Sequence, residues 1–104
     1  MRLVQHIGTQ ATFSGEATPL PGCPDIVVSH GVYSHYGKGT GVGRVANLLR
    51  TRQLRDLGYS AVICTVNAGN SAQLKILRDT GWHETSAFRN RRTGSDIITF
   101  MYTL

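Results

Sequence analysis

Short apolar runs separated by polar and glycine-rich punctuation outline the chain as strands and two helices. RLVQHI and ATFSGEA at the start read as strands by composition, although neither alternates strictly. All three prolines, Pro19, Pro21 and Pro24, fall in PLPGCPD, which reads as a loop because each fixes φ and removes a backbone donor. DIVVSHGVY, 25–33, is β-branched and apolar and reads as a buried strand. Gly31 within it marks a bulge or the close approach of another group. SHYGKGTGVG follows as a loop whose glycines reach φ > 0 and leave no Cβ in the way of a ligand.

From Val42 the apolar positions Val42, Val45, Ala46, Leu48, Leu49 and Leu57 fall mostly on one helical face, and Arg44, Arg50, Arg52 and Arg55 mark the wet one. Gly58 stops this helix in the manner of a C′ glycine. SAVICTVN, 60–67, is too short and too β-branched for another helix, so the natural reading is a βαβ crossover whose two strands share one sheet. Asn70 and Ser71 offer caps for a second helix, SAQLKILRDT, which Gly81 terminates. WHETSAF and DIITFMYTL, on either side of RNRRTGS, read as a closing antiparallel hairpin. Trp82 reads as a core aromatic after the helix stop.

Composition adds bounds. At 104 residues the chain is expected to be one domain, 1–104, with a single core. No apolar run approaches the roughly 18 residues of a membrane span, and the first ten residues have no long apolar centre, so neither membrane insertion nor a signal peptide is expected. A cytoplasmic location follows from that reading. Cys23 and Cys64 lack metal-ligand spacing and read as small, reduced, apolar side chains. His6, His30, His35 and His83 lack a local ligand pattern, and no metal is expected. A formal charge of +5 favours an anionic partner without naming one, and a solvated basic surface fits equally well.

GKGTGVGR, 37–44, resembles a phosphate loop. The nucleotide P-loop ends on Gly-Lys-Ser/Thr, whereas Lys38 precedes the run here, and the dinucleotide fingerprint would need a glycine at 42 or 44, where Val42 and Arg44 stand. Strand, glycine loop and helix N-terminus nevertheless make a site for an anion on physical grounds. A diphosphate could divide its charge among several backbone donors, Lys38 and Arg44.

From about Asp25 to Leu104 the chain resembles the GCN5-related N-acetyltransferase family. That family carries R/Q-x-x-G-x-G/A at the start of its central helix, then a strand, then an Asn-led helix ending in Gly-aromatic. KGTGVG matches with Lys38 in place of Arg or Gln, and NSAQLKILRDTGW supplies Asn70 and the Gly81-Trp82 ending. The resemblance implies an α/β (α+β) fold with a mixed β-sheet, a central βαβ unit, two main helices and a C-terminal β-hairpin. It implies acetyl-CoA as co-substrate, in a cleft where two neighbouring parallel strands splay apart. The pyrophosphate would sit on the N–H groups of Gly39, Thr40, Gly41, Val42, Gly43 and Arg44. The pantetheine arm would pair with Gly31, Val32 and Tyr33, and Asn70 would lie close to the arm.

The chain departs from the family at the chemistry. The usual tyrosine acid, seven residues past the asparagine, is Leu77, and the carboxylate base of some members, five residues before it, is Thr65. His30, His35, Tyr33 and Tyr36 are the proton-transfer candidates, with His30 foremost because histidine is the side-chain type that exchanges protons near neutral pH. About 24 residues precede Asp25, with no helical periodicity, where the family usually places a strand and two helices that wall the acceptor site. The acceptor site is therefore expected to be open or completed by a second copy in a homodimer. The leading expectation is an acetyl-CoA-dependent N-acetyltransferase acting on an amine such as a protein lysine, an N-terminus or a small amine. The alternative is a catalytically weak or inactive acyl-CoA-binding or protein-interaction module of the same fold. Nucleic-acid binding through Arg89, Arg91 and Arg92 is disfavoured because no aromatic residues interleave there as a stacking platform.

Overall fold

A computed structural model of the chain describes residues 1–8, 11–33 and 41–104, with the backbone alone at 32 and 33. Among these residues the elements run β1 (Arg2–Ile7), β2 (Ala11–Leu20), β3 (Cys23–Tyr33), α1 (Val42–Asp56), β4 (Ala61–Asn67), α2 (Ser71–Asp79), β5 (His83–Arg89) and β6 (Asp96–Thr103). The strands form one mixed sheet in the order β1-β2-β3-β4-β6-β5. β3 and β4 run parallel across the α1 crossover, and the other neighbours are antiparallel. The α+β architecture with its βαβ unit and closing hairpin is the one expected from the sequence.

Both helices lie on one sheet face and touch each other. Gly43 approaches Ile76 so closely that a Cβ would stand 3.0 Å from its Cδ1. Thr80 Oγ1 and Trp82 Nε1 both donate to Asn47 Oδ1, at 3.1 Å each, which ties the middle of α1 to the end of α2. Beneath them Leu54, Leu74, Leu77 and Trp82 pack with Leu3, Ala17, Val27, Val62, Cys64, Val66 and Phe100 from the sheet. A smaller cluster of Ala11, Phe13 and Ala46 lies under the start of α1. Both helices end in Schellman hydrogen bonds, Tyr59 N–H to Leu54 O and Trp82 N–H to Leu77 O, with Gly58 and Gly81 at the C′ positions. The opposite sheet face exposes Val28 and Phe88, and β5 is exposed along its whole length. Among the described residues no helix is long and apolar enough to cross a membrane.

Two expectations need correction. The face of α1 is rotated from the one its apolar residues suggest: Val45 and Leu48 are 42% and 49% exposed, while Ala46, Asn47, Arg50, Thr51 and Leu54 are buried. The proline-rich segment is not a loop throughout. Pro19 in β2 pairs with Val27, Pro24 is the second residue of β3, and only a tight turn at Pro21 and Gly22 separates the strands. The register shifts between Pro19 and Leu20, and such an irregularity is where a strand tolerates a residue that cannot donate. Gly31 is not bulged; it pairs in register with Gly15. The other alternative, a close approach, does hold there: the two glycines face each other so tightly that a Cβ on Gly15 would run into the His30 carbonyl oxygen and stand 3.1 Å from Gly31 Cα.

Candidate functional site

The β3–β4 ladder covers three pairs, Ile26↔Ala61, Val27↔Val62 and Val28↔Ile63, and then stops. Beyond it β3 stays paired with β2 as far as Tyr33, and β4 stays paired with β6 as far as Asn67. Each strand follows its outer neighbour, and the twist between them opens a split. A cavity of about 200 Å³ fills it. Ser29, His30 and Gly31 line it from β3, Thr65, Cys64, Val66 and Asn67 from β4, Asn70 and Gln73 from α2, and Arg50 from α1.

Ser29 and Cys64 immediately follow the last ladder pair and so lie at the floor. Arg50 is 5% exposed and Ser29 3%, and among the described residues Arg50 Nε and Ser29 Oγ are both buried without a hydrogen-bond partner. None of the lining residues is a carboxylate. Burial pushes the Cys64 thiol up to about 11, with the Arg50 charge pulling the other way, so at neutral pH it is a neutral group. On the far wall Asn67 Oδ1 accepts from Gly69 N–H at 2.9 Å, and Asn70 Oδ1 accepts from Gln73 N–H at 3.2 Å, capping α2.

The N-terminus of α1 begins at Gly41, whose φ of 80° is the left-handed conformation that glycine adopts without strain. The first helical bond runs from Val45 N–H to Gly41 O, so the N–H groups of Val42, Gly43 and Arg44 have no helical acceptor. Among the described residues no side chain caps this end, and no acidic residue stands in its first turn. The Arg44 side chain is exposed and pairs with α2: its Nη2 donates to Asp79 Oδ2 at 2.6 Å, and Lys75 Nζ reaches the same oxygen at 3.0 Å. The hydrogen bond from Lys75 leads in holding the Asp79 carboxyl below its ordinary range. Arg44 therefore joins α1 to α2.

Gly31, Val32 and Tyr33 pair with Gly15, Ser14 and Phe13 along one edge of β3, which leaves their other edge facing away from β2 with no partner on β4. Lys38, Gly39, Thr40, His35 and Tyr36 lie outside the described residues. His30 is exposed and lines the split together with a second cavity of about 180 Å³, shared with Arg2, Ser14, Gly15 and Glu16. Strand alternation puts Arg2, Ser14, Glu16 and His30 on the sheet face away from the helices. The Glu16 carboxylate is 3.5 Å from the Met1 ammonium group. Leu77, at the expected acid position, is fully buried in the core, and Thr65 is exposed on the cleft wall. Among the described residues no group of three or more metal-ligating side chains is present.

Arg50, Ser29, Cys64, Asn67 and Gln73 were not singled out as site residues by the sequence. A helical count centred on Ala46 and Leu54 would have placed Arg50 inward, but only by ignoring Val45 and Leu48. The asparagine pair 67 and 70, just past a strand end, was the more readable signal.

No family model matches the sequence, and no curated protein matches it. Among solved structures, the ribosomal-protein-alanine N-acetyltransferase from Brucella melitensis superposes with a TM-score of 0.78 at 18% identity, over 99% of this chain and 68% of its own. A GCN5-related N-acetyltransferase from Kribbella flavida gives 0.75 at 16% identity, over 88% and 60%. A phosphinothricin acetyltransferase of the same superfamily from Sinorhizobium meliloti, in complex with acetyl-CoA, gives 0.74 at 13% identity, over 91% and 54%. The chain thus spans between 54% and 68% of the length of these three proteins.

The chain has the fold of the GCN5-related N-acetyltransferases.

Proposed function

We propose that this chain is an acyltransferase of the GCN5-related family that takes a coenzyme A thioester, acetyl-CoA in the first instance, and passes its acyl group to an amine. The observation that carries the reading is the parallel ladder that stops at Val28↔Ile63 and opens into a polar cavity beside the uncapped start of α1. A helix N-terminus with free N–H groups favours a diphosphate, and an unpaired strand edge favours an extended chain bearing amides. The solved structure with acetyl-CoA, which shares the fold at a TM-score of 0.74, supports the choice of ligand.

The thioester supplies an acyl carbon that an amine attacks: the C–N bond forms, the C–S bond breaks, the ammonium proton is given up and the thiolate takes up a proton. In this reading Gly39 to Arg44 hold the diphosphate by main chain with Lys38 beside them, and Gly31, Val32 and Tyr33 align the arm with Asn70 across from it. His30 accepts the amine's proton, because it borders both the split and the second cavity. Glu16 in that second cavity offers the charge an ammonium substrate needs. The exposed Val28 and Phe88 on the same face support a homodimer in which a second copy walls the acceptor side; a monomer in sedimentation at high micromolar concentration would refute it.

Gly41→Glu tests the cleft assignment. A side chain there is strained at φ 80° and brings negative charge to the diphosphate, so acetyl-CoA affinity should fall by more than about a hundredfold in calorimetry while the circular dichroism spectrum stays native. Retained affinity would show that the phosphates lie elsewhere. The alternative, a module that binds acyl-CoA without turnover, is favoured by the buried Leu77 where an acid is expected. A thiol-release assay on a panel of amines and peptides separates the two, since binding without release supports the alternative.

A further inference from the structure

Transfer of an acetyl group gives Arg50 nothing to do. An acetyl group ends in a methyl, and a methyl is best received by an apolar floor. The floor of this cleft instead presents a guanidinium and a hydroxyl, and among the described residues the buried Arg50 Nε and Ser29 Oγ both lack a hydrogen-bond partner. Burying such groups unpaired is costly unless a ligand completes them. Among the described residues Arg50 has no hydrogen-bond or ion-pair partner, and the residues around the cavity include neither Asp nor Glu. Cys64, a lining residue that could in principle become an anion, is kept neutral by burial. What the site lacks is an acceptor bearing negative charge.

Position says which part of a ligand would supply it. Ser29 and Cys64 follow directly on the last rung of the β3–β4 ladder, so they mark the closed end of the split. α1 runs back along the sheet from the mouth, and the step from Gly41 to Arg50 is about 13 Å along its axis. A ligand whose phosphates rest at Gly41 and whose arm follows the split therefore brings its far end, and not its phosphates, to Arg50.

We propose that the acyl thioester this cleft selects ends in a free carboxylate, a dicarboxylic acid esterified at one end to the coenzyme thiol, with that carboxylate held by Arg50 and the Ser29 hydroxyl. The inference rests on the acyltransferase reading and specifies its donor. The transfer balances as before: C–N forms, C–S breaks, the amine gives up a proton and the thiolate gains one. The distal carboxylate travels unchanged with the acyl group, so the acceptor exchanges a positive charge for a negative one. Arginine suits this task because its planar fork meets both carboxylate oxygens at once.

Succinyl-CoA and butyryl-CoA have acyl chains of equal carbon count and differ in a terminal carboxylate against a methyl. Calorimetric titration of the whole chain with each should show succinyl-CoA binding at least about tenfold tighter. Arg50→Met should collapse the ratio of the two affinities toward one, and Ser29→Ala should reduce it. Equal wild-type affinities for the two esters, with acetyl-CoA also bound, would overturn this inference and leave the acyltransferase reading standing. Failure of every ester and of acetyl-CoA to bind would overturn both. A ratio that survives in a folded Arg50→Met protein would also overturn it. Should that variant not fold, the wild-type comparison and Ser29→Ala still decide.

Discussion

Burial of one thiol and exposure of the other give the two cysteines opposite chemistry. Cys64 lies at the floor of the cleft, and its thiol is pushed up to about 11 because the thiolate would have to shed its water; the neighbouring Arg50 charge offsets only part of that cost. The floor is therefore not a nucleophile at neutral pH. Cys23 is exposed at the start of β3. An aromatic disulfide reagent at neutral pH should label one thiol per native chain, Cys23, and the second only after denaturation; Cys23→Ser should leave the native protein unlabelled. The same shift has a signed effect on stability. The folded-state value lies above the ordinary 9.0, so the Cys64 contribution is whole below that pH and is lost as pH rises through about 11. Urea midpoints compared between neutral pH and pH about 10.5 should fall more for the parent chain than for Cys64→Ala. Equal falls would show that the burial of this thiol contributes nothing to alkaline sensitivity.

The start of α2 serves the fold and the cleft with one side chain, and substitutions can separate the two duties. Asn70→Ala removes the acceptor for Gln73 N–H and should cost about 1 kcal/mol in denaturant unfolding. Asn70→Asp keeps a capping oxygen and suits the positive end of the helix, so stability should stay near the parent value. It also puts a negative charge on the cleft wall, and acyl-CoA affinity should drop. Undiminished affinity in Asn70→Asp would reduce Asn70 to a cap. This cap was legible in the sequence, as were the stops at Gly58 and Gly81 and the β-branched run of β4, because each is decided by neighbours in the chain. The inward face of α1 was not. Periodicity takes apolar residues as inward, yet the inward stripe holds Asn47, Arg50 and Thr51, and the burial of Asn47 is set by Thr80 and Trp82 more than thirty positions away. Val45 and Leu48 pulled the sequence reading to the wrong side, and with it Arg50, the residue that gives the cleft floor its charge. The prolines misled in the same manner, since the register shift that accommodates Pro19 belongs to the pairing of β2 with β3 and not to either strand alone.

Taken as a whole, the sheet consists of two three-stranded halves, β1-β2-β3 and β4-β6-β5, joined by the three rungs from Ile26 to Val28. The shared core does most of the joining: Leu3, Ala17 and Val27 on one half meet Val62, Val66 and Phe100 on the other beneath Leu54, Leu74 and Leu77. An extended ligand in the split would lie against the free edges of both halves, so its binding should stabilise the chain globally as well as close the cleft. With free acyl-CoA at about a hundred times its dissociation constant the gain is about 2.7 kcal/mol, a rise in melting temperature on the order of 10 °C for a chain of this length. Hydrogen exchange locates the cause. Amides of Gly31–Tyr33, Thr65–Asn67 and Val42–Arg44 should slow beyond the general increase, whereas those of the outer strands β1 and β5 should gain only what global stabilisation gives. A melting shift with no added protection along the split would put the ligand on another surface, and the two halves would then owe their union to the helices and core alone.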